Sequence, residues 1–157
     1  MLSKFIAGAI TQFYGDYGKL PVPAGQTAGS LDLTADTSEK SGLIRILLGK
    51  EADGPSKQNI RNINYLEGMK AARRGQAHDG PKWIGGLITE DGECAAVDGW
   101  GNFFQVRLDT NGDRAVENSN PDEIRDGRLI LQNKVLIWCS GKDHREETWS
   151  DNIKSWD

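Results

Sequence analysis

The sequence predicts an α+β fold, a long N-terminal helix packed on a small antiparallel β-sheet. Three observations predict it. Residues 1–17 place Leu2, Phe5, Ile6, Ala9, Ile10, Phe13 and Tyr17 three or four apart, the spacing of one helix face. From Trp83 onward the chain becomes short apolar or alternating runs separated by Gly, Asn and Asp, which is strand patterning. The connections between those runs are too short for crossovers, so neighbouring strands should pair antiparallel. The 157 residues suit one domain, with residues 1–17 as the helix and 83–157 as the sheet and a C-terminal loop.

The first helix carries its apolar stripe from Met1 with no N-cap ahead of it, so it is expected to be the lower half of a longer helix. Gly15 and Gly18 weaken it, and Pro21 and Pro23 end it. Residues 21–30 are loop. A second helix is predicted from Asp36-Thr37-Ser38-Glu39, a cap with Glu three residues on, through Leu43, Ile44, Leu47 and Leu48 to a stop at Gly49. Residues 59–72 fit either a helix or an extended segment. Strands are predicted over 83–88, 94–97, 103–108, 128–131 and 135–139, with Asn133-Lys134 as a hairpin turn.

Composition narrows the function. A net charge of −4 argues against a nucleic-acid partner, and the one basic cluster, Lys70, Arg73 and Arg74, is short enough to be a solvated face. No run of 18 apolar residues is present to span a membrane. Cys94 and Cys139 lack metal-site spacing; they either pair across a loop of about 45 residues or are two small buried side chains. His78 and His144, the only histidines, lie in polar stretches without a nucleophile or an H-E-x-x-H spacing, which argues against an enzyme. Gly85-Gly86 sits inside an apolar run and is no phosphate loop. Among the five tryptophans, Trp100 and Trp138 read as core, and Trp149 and Trp156 as pins for the C-terminal loop.

Two loops gather oxygen ligands suited to calcium. Asp109, Asn111 and Asp113 occupy positions 1, 3 and 5 of an EF-hand-type loop, the alternation that lets carboxylate and amide oxygens converge on a hard cation. The pattern then departs, with Arg114 where position 6 wants Gly and Asn120 where position 12 wants Glu. Asn111-Gly112 is equally a type I′ hairpin signal. The second loop runs from Ser140-Gly141-Lys142-Asp143 to Asp151-Asn152-Ile153-Lys154-Ser155-Trp156, with Asp143 and Asp151 as charged ligands if it closes on calcium, or as part of an exposed polar tail if it does not.

Several segments resemble one family. Residues 13–21 (FYGDYGKLP) resemble the stretch that follows the helix in type IV pilin-like proteins. Asp98-Gly99-Trp100-Gly101-Asn102-Phe103-Phe104 resembles the D-P-W-G-N-aromatic signature of the major pseudopilin of type II secretion systems. The close of the chain, a strand, then Ser140-x-x-Asp143, then Asp151-Asn152-Ile153-x-x-Trp156, resembles the same family's S-x-G-x-D and D-D-I-x-x-W pattern. The resemblance covers both ends of the chain and not the insert between Gly49 and Trp83. It implies a pilin-like fold and a structural subunit of a periplasmic pseudopilus that helps export folded proteins. It also implies other pseudopilin subunits and secretion-system components as partners, and an inner-membrane anchor through a hydrophobic helix ahead of Met1. A structural calcium in the C-terminal loop follows as well, held by Asp143, Asp151 and Asn152 with Ser140 and Ser155 nearby. Gly99 for Pro and Asn152 for Asp depart from the pattern, the latter with one less negative charge for the cation. The alternatives are a minor type IV pilin, or a calcium-stabilised extracellular module that binds carbohydrate or protein through exposed tryptophans.

Overall fold

The computed structural model describes residues 2–77 and 80–156. In chain order its elements are α1 (Leu2–Tyr17), β1 (Leu33–Asp36), α2 (Leu43–Leu47), β2 (Arg73–Ala77), β3 (Gly80–Ile84), β4 (Gly86–Ile88) and β5 (Ala95–Val97). There follow β6 (Gln105–Leu108), β7 (Val116–Glu117), α3 (Pro121–Arg125), β8 (Ile130–Leu131), β9 (Val135–Cys139) and β10 (Ile153–Lys154). The fold is α+β. The main sheet is antiparallel throughout, in the order β1-β6-β9-β10, and β2-β3, β4-β5 and β7-β8 form three two-stranded ribbons.

Strand β9 organises the core because it is buried on both faces, which is why its sequence, VLIWC, is a continuous apolar run instead of an alternation. Val135, Ile137 and Cys139 face α1, where Ile6, Ile10 and Phe13 are wholly buried against them together with Val106 and Leu108 of β6. Each such side chain contributes roughly 2 kcal/mol by leaving water. Leu136 and Trp138 point the other way, into a second cluster with Val116, Leu131 and Trp156. The predicted helix face is therefore the buried one, except that Phe5 lies at the edge of the stripe and is 39% exposed. No helix among the described residues is long and apolar enough to cross a membrane.

Three local expectations are corrected. Asp36 does not cap a helix but ends β1, its carboxylate accepting from the amide and hydroxyl of Ser38 (2.9 and 2.5 Å). Buried Thr37 is drawn into the sheet region instead, donating from Oγ1 to Ala96 O (2.6 Å) and accepting from Phe104 N (2.9 Å). Glu39 is used at long range as well, by Arg45 and the amide of Cys94, so the predicted helix start yields only a 3-10 turn, Glu39–Ser41, and α2 begins after Gly42, at φ 68°. The run 83–88 is broken between β3 and β4 at Gly85, also in the left-handed region. Asn133-Lys134 is not a hairpin turn: β8 pairs with β7 and β9 with β6 and β10, so the chain changes sheets there.

Residues 59–72 prove to be neither helix nor regular strand, apart from a single bridge at Ala71. The reason is Asn59, a wholly buried amide that does the work of a backbone ladder. Its Nδ2 donates to Ile46 O (2.8 Å) and Ile63 O (2.7 Å), while its Oδ1 accepts from Ile63 N (3.1 Å) and the Tyr17 hydroxyl (2.8 Å). All four positions of the side chain are used, and they tie the end of α1 to α2 and to the following segment. Tyr65, whose hydroxyl donates to Asp16 (2.6 Å), adds a second tie. Asn59→Ala is expected to lower unfolding stability by on the order of 3 kcal/mol, since it strands several buried groups at once. Tyr17→Phe, which removes one of the four bonds, should cost about 1 kcal/mol; urea denaturation of both variants checks the ranking.

Candidate functional site

The two motifs of the C-terminal half meet in space. Asp98 is buried between β5 and β6, and its carboxylate accepts from Trp100 N (2.8 Å), Asn102 N (2.9 Å) and Asn102 Nδ2 (2.9 Å). The same Nδ2 donates to Gly141 O (2.8 Å), at the mouth of the loop that joins β9 to β10. With Nδ2 so placed, Asn102 Oδ1 faces His144, whose Nδ1 donates to it. Gly141 is required by its own geometry, because it has φ 67° and a Cβ there would fall 2.3 Å from Asp151 O.

Inside this loop Asp143 and Asp151 are neighbours, the amide of Asp143 donating to Asp151 Oδ2 (3.2 Å). The other oxygen, Asp151 Oδ1, is buried and has no hydrogen-bond partner, and the same is true of Asn152 Oδ1, on a side chain whose Nδ2 is fixed by Glu146 O (3.0 Å). Two adjacent buried acceptors without a donor are costly as they stand. Their chemistry, all oxygen and one carboxylate, fits a hard divalent cation. Ser140 opens the loop and is buried. Ser155 is used differently, its Oγ accepting from Ile137 N (3.0 Å) to hold the β9-β10 pair.

The Asp109 loop is also ordered by its own side chains. Asp109 is buried and accepts from Gly112 N (2.9 Å) and Arg114 N (2.8 Å); Asn111 and Asp113 accept from Asp113 N (3.0 Å) and Ala115 N (2.9 Å). Arg114 takes φ 63°, the left-handed conformation that position 6 of such a loop ordinarily gives to Gly. The strands on either side, β6 and β7, do not pair, so Asn111-Gly112 is not a hairpin turn. The sequence reading missed Asp32, which sits just before β1 and is brought in because Leu33 pairs with Leu108. Carboxylate oxygens of Asp32, Asp109 and Asp113 lie within 4.8 Å of one another. Burial, and then the charges of Asp109 and Asp113, push the Asp32 carboxyl above its ordinary value, against a backbone hydrogen bond from Glu117. No spacing rule links Asp32 to a loop so far along the chain; only the register of β1 does.

Cys94 and Cys139 are buried free thiols, raised in pKa chiefly by burial, Cys139 to about 12, so neither is a ready nucleophile. His78 lies outside the described residues. Trp138, Trp149 and Trp156 pack together with ring centroids 6.1–6.3 Å apart, and Trp83 lies beneath the Arg74 guanidinium; Trp100, expected in the core, is half-buried in the turn after Asp98 and joins no core cluster.

The chain was compared with protein-family models, with curated proteins and with solved structures. It matches none of them.

The C-terminal end of the loop is clasped by Glu123, on α3, which accepts from Lys154 Nζ (2.6 Å), Asn118 Nδ2 (2.7 Å) and Trp156 Nε1 (3.3 Å). Burial pushes its carboxyl upward, but these donors outweigh it and hold the pKa at about 2. A carboxyl lowered in the folded state stabilises fully above its ordinary value of 4.5 and loses that contribution as the pH falls toward 2. Glu123→Gln should therefore cost roughly 2 kcal/mol at pH 7 and flatten the fall in stability between those two pH values. Denaturant titrations across the acid range measure it.

Proposed function

We propose that the chain is a pilin-like subunit of a type II secretion pseudopilus, acting at the periplasmic face of the inner membrane by polymerising with other pseudopilin subunits, and not by catalysis. What carries the reading is the contact between its two resembling motifs. Asn102, the last polar residue of the Asp98-Gly-Trp-Gly-Asn segment, bridges the buried Asp98 carboxylate to Gly141 at the start of the closing Ser-Gly-x-Asp segment. Two motifs that stand apart in sequence form one hydrogen-bonded unit, which gives each a reason for its residue types. The N-terminal helix laid along an antiparallel sheet is compatible with the same reading. A module binding carbohydrate on exposed tryptophans has less support, since four of the five tryptophans pack against other side chains and only Trp100, half-buried, joins none of the core clusters.

In this reading one calcium ion occupies the C-terminal loop, where Asp143, Asp151 and Asn152 supply side-chain oxygens and loop carbonyls supply the rest, and its role is structural. The ion would satisfy the two buried oxygens that the protein leaves without donors. Calcium at a hundredfold excess over its dissociation constant stabilises the folded chain by about 2.7 kcal/mol, a rise in Tm of roughly 5–10 °C over the chelated protein. That rise should vanish in Asp151→Ala and persist in Asp113→Ala. The reverse pattern would assign the ion to the Asp109 loop and remove the support that the closing motif gives to the pseudopilin reading.

A further inference from the structure

Basic charge is concentrated in one short segment of the chain. Residues 70–84 hold four basic side chains and one acidic one, so the remainder carries −7 against a total of −4. Lys70, Arg73 and Arg74 are exposed and make no ion pair among the described residues; Arg74 stacks on Trp83 and so stiffens the β2-β3 ribbon. This ribbon is joined to one end of β1 and β6. Leu87 N donates to Lys70 O (2.9 Å), β4 pairs with β5, and Ala96 of β5 bonds Thr37, directly after β1. At the other end of the same two strands, past Leu33 and Leu108, lies an open groove of about 390 Å³ lined by Asp32, Asp113 and Glu117, with Arg107 as its one base. Its rim carries Leu31 and Ile130, 76% and 59% exposed, which supply apolar area beside the carboxylates.

We propose that this groove is the docking surface for the basic β2-β3 ribbon of a second copy of the chain. Charge complementarity selects the occupant. The groove presents three carboxylates, one of them with a buried oxygen that has no hydrogen-bond partner, Asp32 Oδ1. Lys70, Arg73 and Arg74, at the ribbon and its base, are exposed cations that no carboxylate among the described residues engages. A lysine or guanidinium placed among Asp32, Asp113 and Glu117 gains charge-assisted hydrogen bonds, and Leu31 and Ile130 bury against the ribbon's backbone. Since donor and acceptor are different surfaces, flanking opposite ends of β1 and β6, the contact is heterologous and repeats head to tail. It rests on the fibre reading only in taking the repeating partner to be another copy.

Sedimentation of the whole chain in chelator tests it. At low ionic strength the weight-average mass should rise with concentration above that of one chain, and return to one chain in about 1 M salt, where the Debye length falls to about 3 Å. Lys70→Glu/Arg73→Glu and Asp113→Lys/Glu117→Lys should each stay monomeric, and an equimolar mixture of the two should associate again, because each then meets its opposite charge. Glu117→Lys alone, at a side chain 84% exposed, gives a weakened association without risk to the fold. A chain that is monomeric at low salt, or association untouched by either charge reversal, overturns the contact. So does a monomeric chain that binds phosphatidylglycerol vesicles through Lys70 and Arg73, which would assign the ribbon to a lipid surface. None of these results bears on the calcium response of the C-terminal loop, so the fibre reading is tested separately.

Discussion

A buried carboxylate, Asp98, sets the geometry on which the rest of the C-terminal half depends. A charge at 1% exposure is tolerated only if its oxygens are engaged. The chain meets that requirement locally, by folding residues 98–102 back so that Trp100 N and both amides of Asn102 converge on it. The turn has consequences in three directions. Its backbone takes Gly85 N (2.6 Å), which places the break between β3 and β4. Gly101, at φ 89° and with a would-be Cβ 3.0 Å from Trp83 O, lets the β2-β3 ribbon approach. Asn102 has one more bond to give, and it goes to Gly141. Removing the carboxylate would therefore loosen a ribbon, a strand break and the C-terminal loop together.

The loop between β9 and β10 is held chiefly at its ends, with His144 as a further tie to Asn102. At one end stand Asn102 and the closely packed Gly141; at the other, Glu123 gathers Lys154 and Trp156 while Trp149 stacks on Trp138 and Trp156. Between them Asp143, Glu146 and Glu147 are exposed, and the backbone relies on local side-chain bonds, such as Asp143 to Arg145 N (2.9 Å). Segments with few buried apolar contacts open at low free energy. A cation bound there would add stability to the loop itself, while β9, buried on both faces, needs none.

How much of this was legible in the sequence depends on the range of the interaction that decides each element. Helix α1 was, because its periodicity is local and its buried face follows from spacing alone. Strands β5, β6 and β9 were, because apolar runs bounded by turn residues need no partner to be recognised. The start of α2 was not, since Thr37 and Glu39 have the right identities for a cap but are spent on Ala96, Phe104, Arg45 and Cys94, far away in sequence. The two-residue strands β7 and β10 carry too little pattern to detect. For the candidate sites, spacing picked out Asp109, Asn111 and Asp113, and resemblance picked out Asp143, Asp151 and Asn152. Asp32 had neither signal, because only a register places it.

The same register explains why the two charge surfaces are held apart. Strands β1 and β6 are short, and each is extended at one end by an acidic loop and tied at the other to the β4-β5 ribbon that carries the basic hairpin. A twofold dimer brings both unlike pairs together only when two copies lie side by side and antiparallel, each groove beside the other copy's ribbon. That closed arrangement uses both surfaces of each copy and stops at two chains. Head-to-tail addition satisfies one unlike pair at each step and leaves a free basic ribbon and a free acidic groove at the ends, so growth stays open. Repulsion between like surfaces penalises the parallel side-by-side arrangement.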